Sequence, residues 1–550
     1  MNGDASEQLV RGFWATSLGT LASRVLGLAR DVVTAALLGL GEGGVMDALV
    51  VAFRLPNLPR RIFGEGALAA GFLPVFAAEE RRDPRAAWQL LSVLLVLLGA
   101  GLSALVLVGE AVCAAWWWFG SADGRGSQLP GLAAMLLPYM VLVCLAAQVS
   151  TALVGMLRFR AAAFAPALLN VCWLAAAWFV APVFSPNAAA QAYVIAAAIV
   201  VSGVLQLAVQ IPALRSVGFR FDFNWRAARP AVWQVGGAML LIALALAVTQ
   251  LNTLVDSLIA VGLAAEPGGA QTIGWLGHMV RYPLETGAAA AIYYGERFYQ
   301  LPVGVIGMAI ATVIYPLVAR HAARGERARI GADLTLGLRL VWFMALPAGI
   351  GIALVAEPAT RLLFERGAFS ARDAERAATM IACYSVAAWA YCALPVLARG
   401  YYAIGNRGTP ARIGLMALAI NLALTLVLIW PLGERGLAIS TAAAASVQAI
   451  LLAVVFSRAC AALAWRELWA TIVKGAVATA TMGIVVLLVK SFAPLEPSRP
   501  QLAVWLALAI AAGAAVYLAA AWLLGMPEPT LLLRRRFQSD RSPRPAGAGS

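Results

Sequence analysis

Arginine is the residue type that carries chemistry in this sequence. Between Ser23 and Pro74, SRVLGLARDVVTAALLGLGEGGVMDALVVAFRLPNLPRRIFGEGALAAGFLP, an otherwise apolar stretch holds Arg24, Arg30, Asp31, Asp47, Arg54, Arg60, Arg61 and Glu65. A charge at the centre of a membrane helix costs about 2.5–3.5 kcal/mol. Such a density is tolerated where charges face one another, a water-filled cavity or an interface. Seven residues are nearly two turns of an α-helix, so Arg24 and Asp31 share a face, as do Ser23 and Arg30. Arg30–Asp31 and Arg61–Glu65 can pair internally, and Arg60 and Arg61 can reach headgroups. With Glu42 of the connecting turn set aside, five arginines against three acids still leave an excess of positive charge. Guanidinium groups bind phosphate and carboxylate through two parallel hydrogen bonds, so the excess points to a cavity for an anionic ligand. A second polar stretch, AIYYGERFYQLP, contains Glu296, Arg297 and Gln300. Arg297 would complete an arginine ring around the cavity; pairing with Glu296 or anchoring beside Tyr293 and Tyr294 is the plainer alternative.

Oxygen ligands form a second set. Asp256 is a lone acid in an apolar run, Asn421 and Thr425 lie one helical turn apart, and Thr441 follows in the next helix. If these helices converge, their hard oxygens suit Na⁺ or H⁺; otherwise they make separate interhelical hydrogen bonds. Other chemistry is not indicated. His278 and His321 are the only histidines, and no two of the six cysteines form a CxxC pair. GLGEGG (39–44) follows no strand and reads as an interhelical turn. With no P-loop, HExxH or GxSxG in the sequence, we expect neither ATP hydrolysis nor covalent catalysis, and no cofactor.

The elements that position these residues are membrane helices. The chain is 62% hydrophobic and 12% charged, with a mean hydropathy of +0.82, whereas soluble domains carry about 25% charged residues. An all-α polytopic membrane protein is predicted. About fourteen apolar stretches are long enough to span, at 11–38, 45–76, 88–109, 130–154, 162–184, 191–213, 231–262, 286–318, 334–356, 377–402, 411–430, 437–457, 469–490 and 501–524. The net charge of +14 would suggest nucleic acid in a soluble protein. Here the arginines fall in alternate short loops, as at Arg81, Arg82 and Arg85, or Arg320, Arg324, Arg327 and Arg329. These loops are expected to be cytoplasmic, with both termini on that side and no nucleic-acid partner. No cleaved signal peptide is expected at MNGDASEQLVRGFW.

Pro56 and Pro59 must kink or break the second helix, and Gly64 and Gly66 loosen it again. A faint repeat relates it to the eighth: LPNLPRRIFGEGALAAGFLP from Leu55 and LPVGVIGMAIATVIYP from Leu301 share a Leu-Pro, a small-residue middle and a later proline. Asp31 and Asp256 match likewise. The repeat predicts two pseudo-symmetric six-helix lobes, 1–229 and 230–460, with an outer insertion at about 264–285. Two further helices occupy 461–526, and a disordered basic cytoplasmic tail follows at 527–550. Repeat-built transporters bind substrate near the midplane between repeats.

The blocks SRVLGLARD, DALVVAFRLPNLPRRIFGEGALAAGFLPVF, YYGERFYQLPVGVIGMAIATVIYP, LFERGAFSARDAERAATMIACYS and ARGYYAIGNRGTPARI resemble the MurJ (MviN) family of bacterial lipid II flippases. That family lies within the multidrug/oligosaccharidyl-lipid/polysaccharide exporter superfamily, and the resemblance runs from about residue 9 to residue 525. It implies a V-shaped pair of lobes with a hydrophobic groove beside the last two helices. It implies transport of undecaprenyl-pyrophosphate-linked disaccharide pentapeptide to the outer leaflet of the bacterial cytoplasmic (inner) membrane, for peptidoglycan synthesis. Implied substrate-binding residues are Arg24, Arg30, Arg60, Arg297, Ser23 and Asp47; the charge pattern itself adds Asp31, Arg54, Arg61, Glu65 and Glu296 as supporting residues. An implied Na⁺ site falls on Asp256, Asn421, Thr425 and Thr441. Gln300 and Thr425 stand where the family often has acids. Coupling to membrane potential, Na⁺ or H⁺ is expected, with membrane lipids and proteins of cell-wall synthesis and division as partners. The rival readings are a flippase for another polyprenyl-linked glycan, a cation-coupled drug exporter with an acidic cavity, a membrane glycosyltransferase and a cell-wall scaffold.

Overall fold

The computed structural model describes residues 3–64, 67–119, 128–265, 271–275, 278–492 and 498–533. It is built almost wholly of helices, and the apolar stretches expected to span fall on them, some in a single helix and others, such as 45–76 and 377–402, divided over more than one. Among the described residues, ten helices are long and apolar enough to cross a membrane, or eleven if the pair Ala371–Ser385 and Ala388–Ala403 forms one span. The remaining stretches are the polar ones. The first helix, Gly3–Leu38, carries Arg24, Arg30 and Asp31; the second is interrupted; and Trp225–Gly262 carries Gln250, Asn252 and Asp256.

The break in the second helix comes later than its first proline. Helix Val45–Pro59 runs through Pro56, and a five-residue π-helical turn, Arg60–Gly64, follows Pro59. Proline offers no N–H and crowds the carbonyl four residues back. The turn takes up that mismatch, and such turns often mark functional segments. Helix Ala288–Pro302 ends the same way, in the π-helical turn Val303–Gly307. Leu58-Pro59-RRIFG and Leu301-Pro302-VGVIG therefore correspond, which shifts the repeat register from Leu55 to Leu58.

The insertion is partly β-structured. Strand β1 (Ala264–Ala265) pairs in parallel with β4 (Leu284–Glu285), while β2 (Thr272–Trp275) and β3 (His278–Arg281) form an antiparallel hairpin. Thr272, Ile273, Trp275 and Val280 are β-branched or aromatic residues that suit a strand, which apolar run length alone does not reveal.

Two compact units result. The first comprises Met1–Phe298, Ala356–Tyr384 and Gly405–Leu452; the second comprises Tyr299–Val355, Ser385–Ile404 and Ala453–Ser550. In the first, Phe72, Phe76, Leu90, Leu91, Leu153 and Val235 build a packed core. In the second, Phe343, Met482, Val486 and Tyr517 do so, and the Tyr517 hydroxyl donates to the Phe343 carbonyl. The tail differs from expectation at its start. Glu528–Leu533 is a short helix, and the buried Glu528 carboxylate accepts from Arg339 (3.0 and 2.9 Å) and Thr471 (2.7 Å). A salt bridge thus holds a segment whose composition reads as loose. Residues from 534 onward lie outside the described residues, as does Glu65.

Candidate functional site

The site is built in the first unit from four helices. Arg30 and Asp31 are buried about two turns before the end of Gly3–Leu38, at 4% and 5% exposure. Arg30 donates through Nε (3.0 Å) and Nη2 (2.7 Å) to Asp31 Oδ1, and through Nη1 to Asn170 Oδ1 (2.9 Å). Asn170 lies on helix Phe159–Ala175, and its Nδ2 donates to the Ser23 carbonyl (2.9 Å) and hydroxyl (3.1 Å). Three residues on, Trp173 stacks under the Arg30 guanidinium at 4.5 Å and donates to Thr34. Arg30 is thus held on every edge of its planar fork.

Helix Ala288–Pro302 supplies the opposing wall. The Tyr293 hydroxyl donates to Asp31 Oδ1 (3.0 Å) and accepts from Arg30 Nη2 (3.1 Å) and from Arg297. Arg297 lies over the Tyr293 ring at 4.4 Å, with its Nε 3.2 Å from Asp31 Oδ2. Two guanidinium groups therefore share one carboxylate. Arg54 is neutralised separately by Glu296 at 3.0 Å, and it also donates to the Thr253 carbonyl (2.8 Å).

Asp47 does a different job. Its carboxylate, 3% exposed, accepts from the backbone N–H of Gly287 (2.6 Å) and Ala290 (2.8 Å). It caps the start of the helix that carries Tyr293, Glu296 and Arg297, satisfying donors that a helix cannot pair internally. Gly287 permits this: its φ is +92°, and a Cβ there would stand 2.7 Å from the Leu40 carbonyl oxygen. Arg376 pairs with Glu434 in the same unit.

A second polar cluster surrounds Asp256, one turn beyond Thr253. Its Oδ1 accepts from Asn421 (2.9 Å), and its Oδ2 accepts from Thr441 (3.0 Å) and Asn252 (3.4 Å). Asn421 Oδ1 and Thr425 Oγ1 are buried and make no hydrogen bond among the described residues. Asn421 also touches the carboxylate, and hard oxygens such as these suit a small cation or a proton. Among the described residues, no group of three His, Cys, Asp or Glu side chains is placed to hold a metal ion.

The family model described as "Lipid II flippase MurJ" matches residues 35–497. The chain belongs to the MurJ family. Among its relatives, the probable lipid II flippase MurJ of Rhizobium tropici is 32% identical over 98% of both chains. That of Vibrio cholerae is 30% identical over 81% of this chain and 82% of its own, and the lipid II flippase MurJ of Burkholderia cenocepacia is 31% identical over 81% and 83%. A solved structure of lipid II flippase MurJ in an inward closed conformation aligns with a TM-score of 0.73 at 20% identity, covering 94% of this chain and 99% of its own. An inward-facing MATE transporter of the MOP superfamily aligns at 0.62 and 14% identity, over 82% of this chain and 95% of its own, a likeness of fold.

Against the residues expected from sequence, the structure brings Ser23, Arg30, Asp31 and Arg297 into one network and links Arg54 to Glu296. Arg24 is exposed on the same helix and makes no hydrogen bond or ion pair among the described residues. Arg60 donates to Asn57 (2.9 Å) and Arg61 to Gln250 (3.2 Å), both on the π-helical turn. Sequence reasoning missed Asn170, Trp173 and Asn252 and gave Tyr293 no role beyond standing beside an anchoring Arg297. A lone amide in the apolar run ALLNVCW, and an amide one turn before Asp256, are the signals that would have found two of them.

Proposed function

We propose that the protein is a lipid II flippase, carrying the undecaprenyl-pyrophosphate-linked peptidoglycan precursor from the inner to the outer leaflet of the bacterial inner membrane by alternating access. The observation that carries the mechanism is the sharing of Asp31 by Arg30 and Arg297. A diphosphate offers more acceptor oxygens and more negative charge than one carboxylate. When helix Ala288–Pro302 separates from the first helix, the Asp31–Arg297 and Asp31–Tyr293 contacts break and both forks turn to the diphosphate, with Arg24 and Arg60 as further contacts at the cavity wall and Ser23 orienting Asn170. Asp47 acts by positioning Arg297 and Tyr293, not by touching substrate. The polyprenyl tail stays in the bilayer beside helices 461–526. With the inside negative, each negative charge carried outward gains about 2.3 kcal/mol per 100 mV. Asp256, Asn421, Thr425 and Thr441 would hold the Na⁺ or H⁺ whose inward step resets the carrier. Lobes at 1–229 and 230–460, cytoplasmic termini, an outer position for the insertion and contacts with cell-wall synthesis proteins complete the proposal; the arginine distribution between loops supports the orientation.

Complementation tests this reading. In cells depleted of their own lipid II flippase, this chain should restore growth, and Arg24→Ala or Arg297→Ala should abolish rescue at equal membrane levels. A correctly inserted wild type that fails to rescue contradicts the function. Full rescue by both variants contradicts the arginine clamp.

A further inference from the structure

Helix Pro84–Phe119 has a feature that transport does not use. It is the most apolar of the candidate spans, and only 22% of its apolar window is buried, against 61% for Gln128–Gly155. Its depth in the bilayer can be read from its ends. At one end Arg85 and Gln89 donate to the Asp222 carboxylate, and Ser92 accepts from the Asp222 N–H. The helix is therefore at loop level up to Ser92. At the other end Trp116, Trp117, Trp118 and Phe119 are 48–83% exposed, as in an interfacial aromatic belt. About 20 residues cross the hydrocarbon, so the segment from Val93 to Cys113 lies within it. Glu110 is the only charged residue between Arg85 and the end of the helix.

Glu110 has no hydrogen bond or ion pair among the described residues. One side of the helix, with Leu102 and Val106 buried and Gly99 and Gly109 against Leu145 and Leu137, packs on Gln128–Gly155. A flanking stripe, Ala100, Ser103, Leu107, Glu110, Ala114 and Trp117, repeats at alternating three- and four-residue steps. Glu110 is partly covered and the rest are exposed, Leu107 at 70%. Acids in membrane helices almost always face a partner, and small residues with a hydroxyl let another helix approach closely. We propose that this stripe receives a membrane-spanning helix of another protein, one that brings a Lys or Arg side chain to the level of Glu110. Charge complementarity selects this occupant. Acyl chains carry no counter-charge, and a second copy related by two-fold symmetry would set Glu110 against Glu110.

The test uses the full chain in proteoliposomes, labelled for energy transfer to a single-span Leu/Ala peptide. One peptide carries an Arg six residues from the end that meets the Trp116–Trp118 level; its control carries Leu there. Wild type should bind the Arg peptide about ten-fold more tightly than the control. Glu110→Gln should erase the difference, and Leu107→Trp, which fills the face and keeps the acid, should weaken Arg-peptide binding. Equal binding of the two peptides by wild type overturns the proposal. So does full discrimination by Glu110→Gln, which would place the contact at a lipid headgroup or another face.

Discussion

At the scale of residues, the central arrangement is one carboxylate between two buried guanidinium groups. Removing one member of a buried ionic network costs about 3–5 kcal/mol because a charge is left without compensation. Asp31→Asn should therefore lower the thermal midpoint of the purified protein, and inorganic pyrophosphate should raise it more in the variant than in wild type. An unchanged midpoint with no response to pyrophosphate would show that Arg30 and Arg297 do not depend on Asp31. Asn170 is the clearest new residue. It bridges Arg30 to Ser23, so Asn170→Ala should leave the buried Arg30 Nη1 without its partner, cost about 1–3 kcal/mol and reduce rescue while membrane levels persist. The arginines were legible in the sequence because charge in an apolar run is costly. Asn170 and Trp173 were not, because their partners lie about 140 residues away in the chain, and only packing brings them together.

At the scale of elements, helix Ala288–Pro302 is set in place by a carboxylate from another helix. Asp47→Ala removes the acceptor of two backbone donors and should cost about 0.5–2 kcal/mol, the usual value of a helix cap. Asp47→Asn, which keeps one acceptor oxygen, should lose less. Melting curves of the two variants test this ordering; equal losses would show that the charge, not the cap, matters. The sequence singled out Asp47 as a site residue, but nothing in its neighbourhood indicates that its partners are backbone N–H groups at Gly287 and Ala290. The broken second helix was legible from LPNLP, yet the position of the break was not. A helix can pass through Pro56, and the π-helical turn forms only where Pro59 is followed by residues free to widen it. The matching turn after Pro302 gives the repeat its register.

At the scale of the whole molecule, hydropathy and charge patterning identified the helical membrane architecture, because burial in lipid demands long apolar helices with internally paired backbones. They could not show which polar side chains meet within it. Asp256, Asn421 and Thr441 were grouped on the condition that their helices meet, and they converge; Thr425 lies buried on the same helix as Asn421 without joining the network. Asp256→Asn removes the single negative charge at this cluster. Transport measured under imposed Na⁺ and pH gradients should lose its response to the gradient that drives wild type. A variant with the wild-type response would rule the cluster out as the coupling site.

The most direct measurement is lipid II translocation by the purified chain in proteoliposomes, comparing wild type with Arg30→Lys and Arg297→Lys. Lysine keeps the charge and loses the planar fork, so if both arginines grip the diphosphate, each variant should translocate at least about ten-fold more slowly. Translocation at the wild-type rate by the double variant would contradict the account.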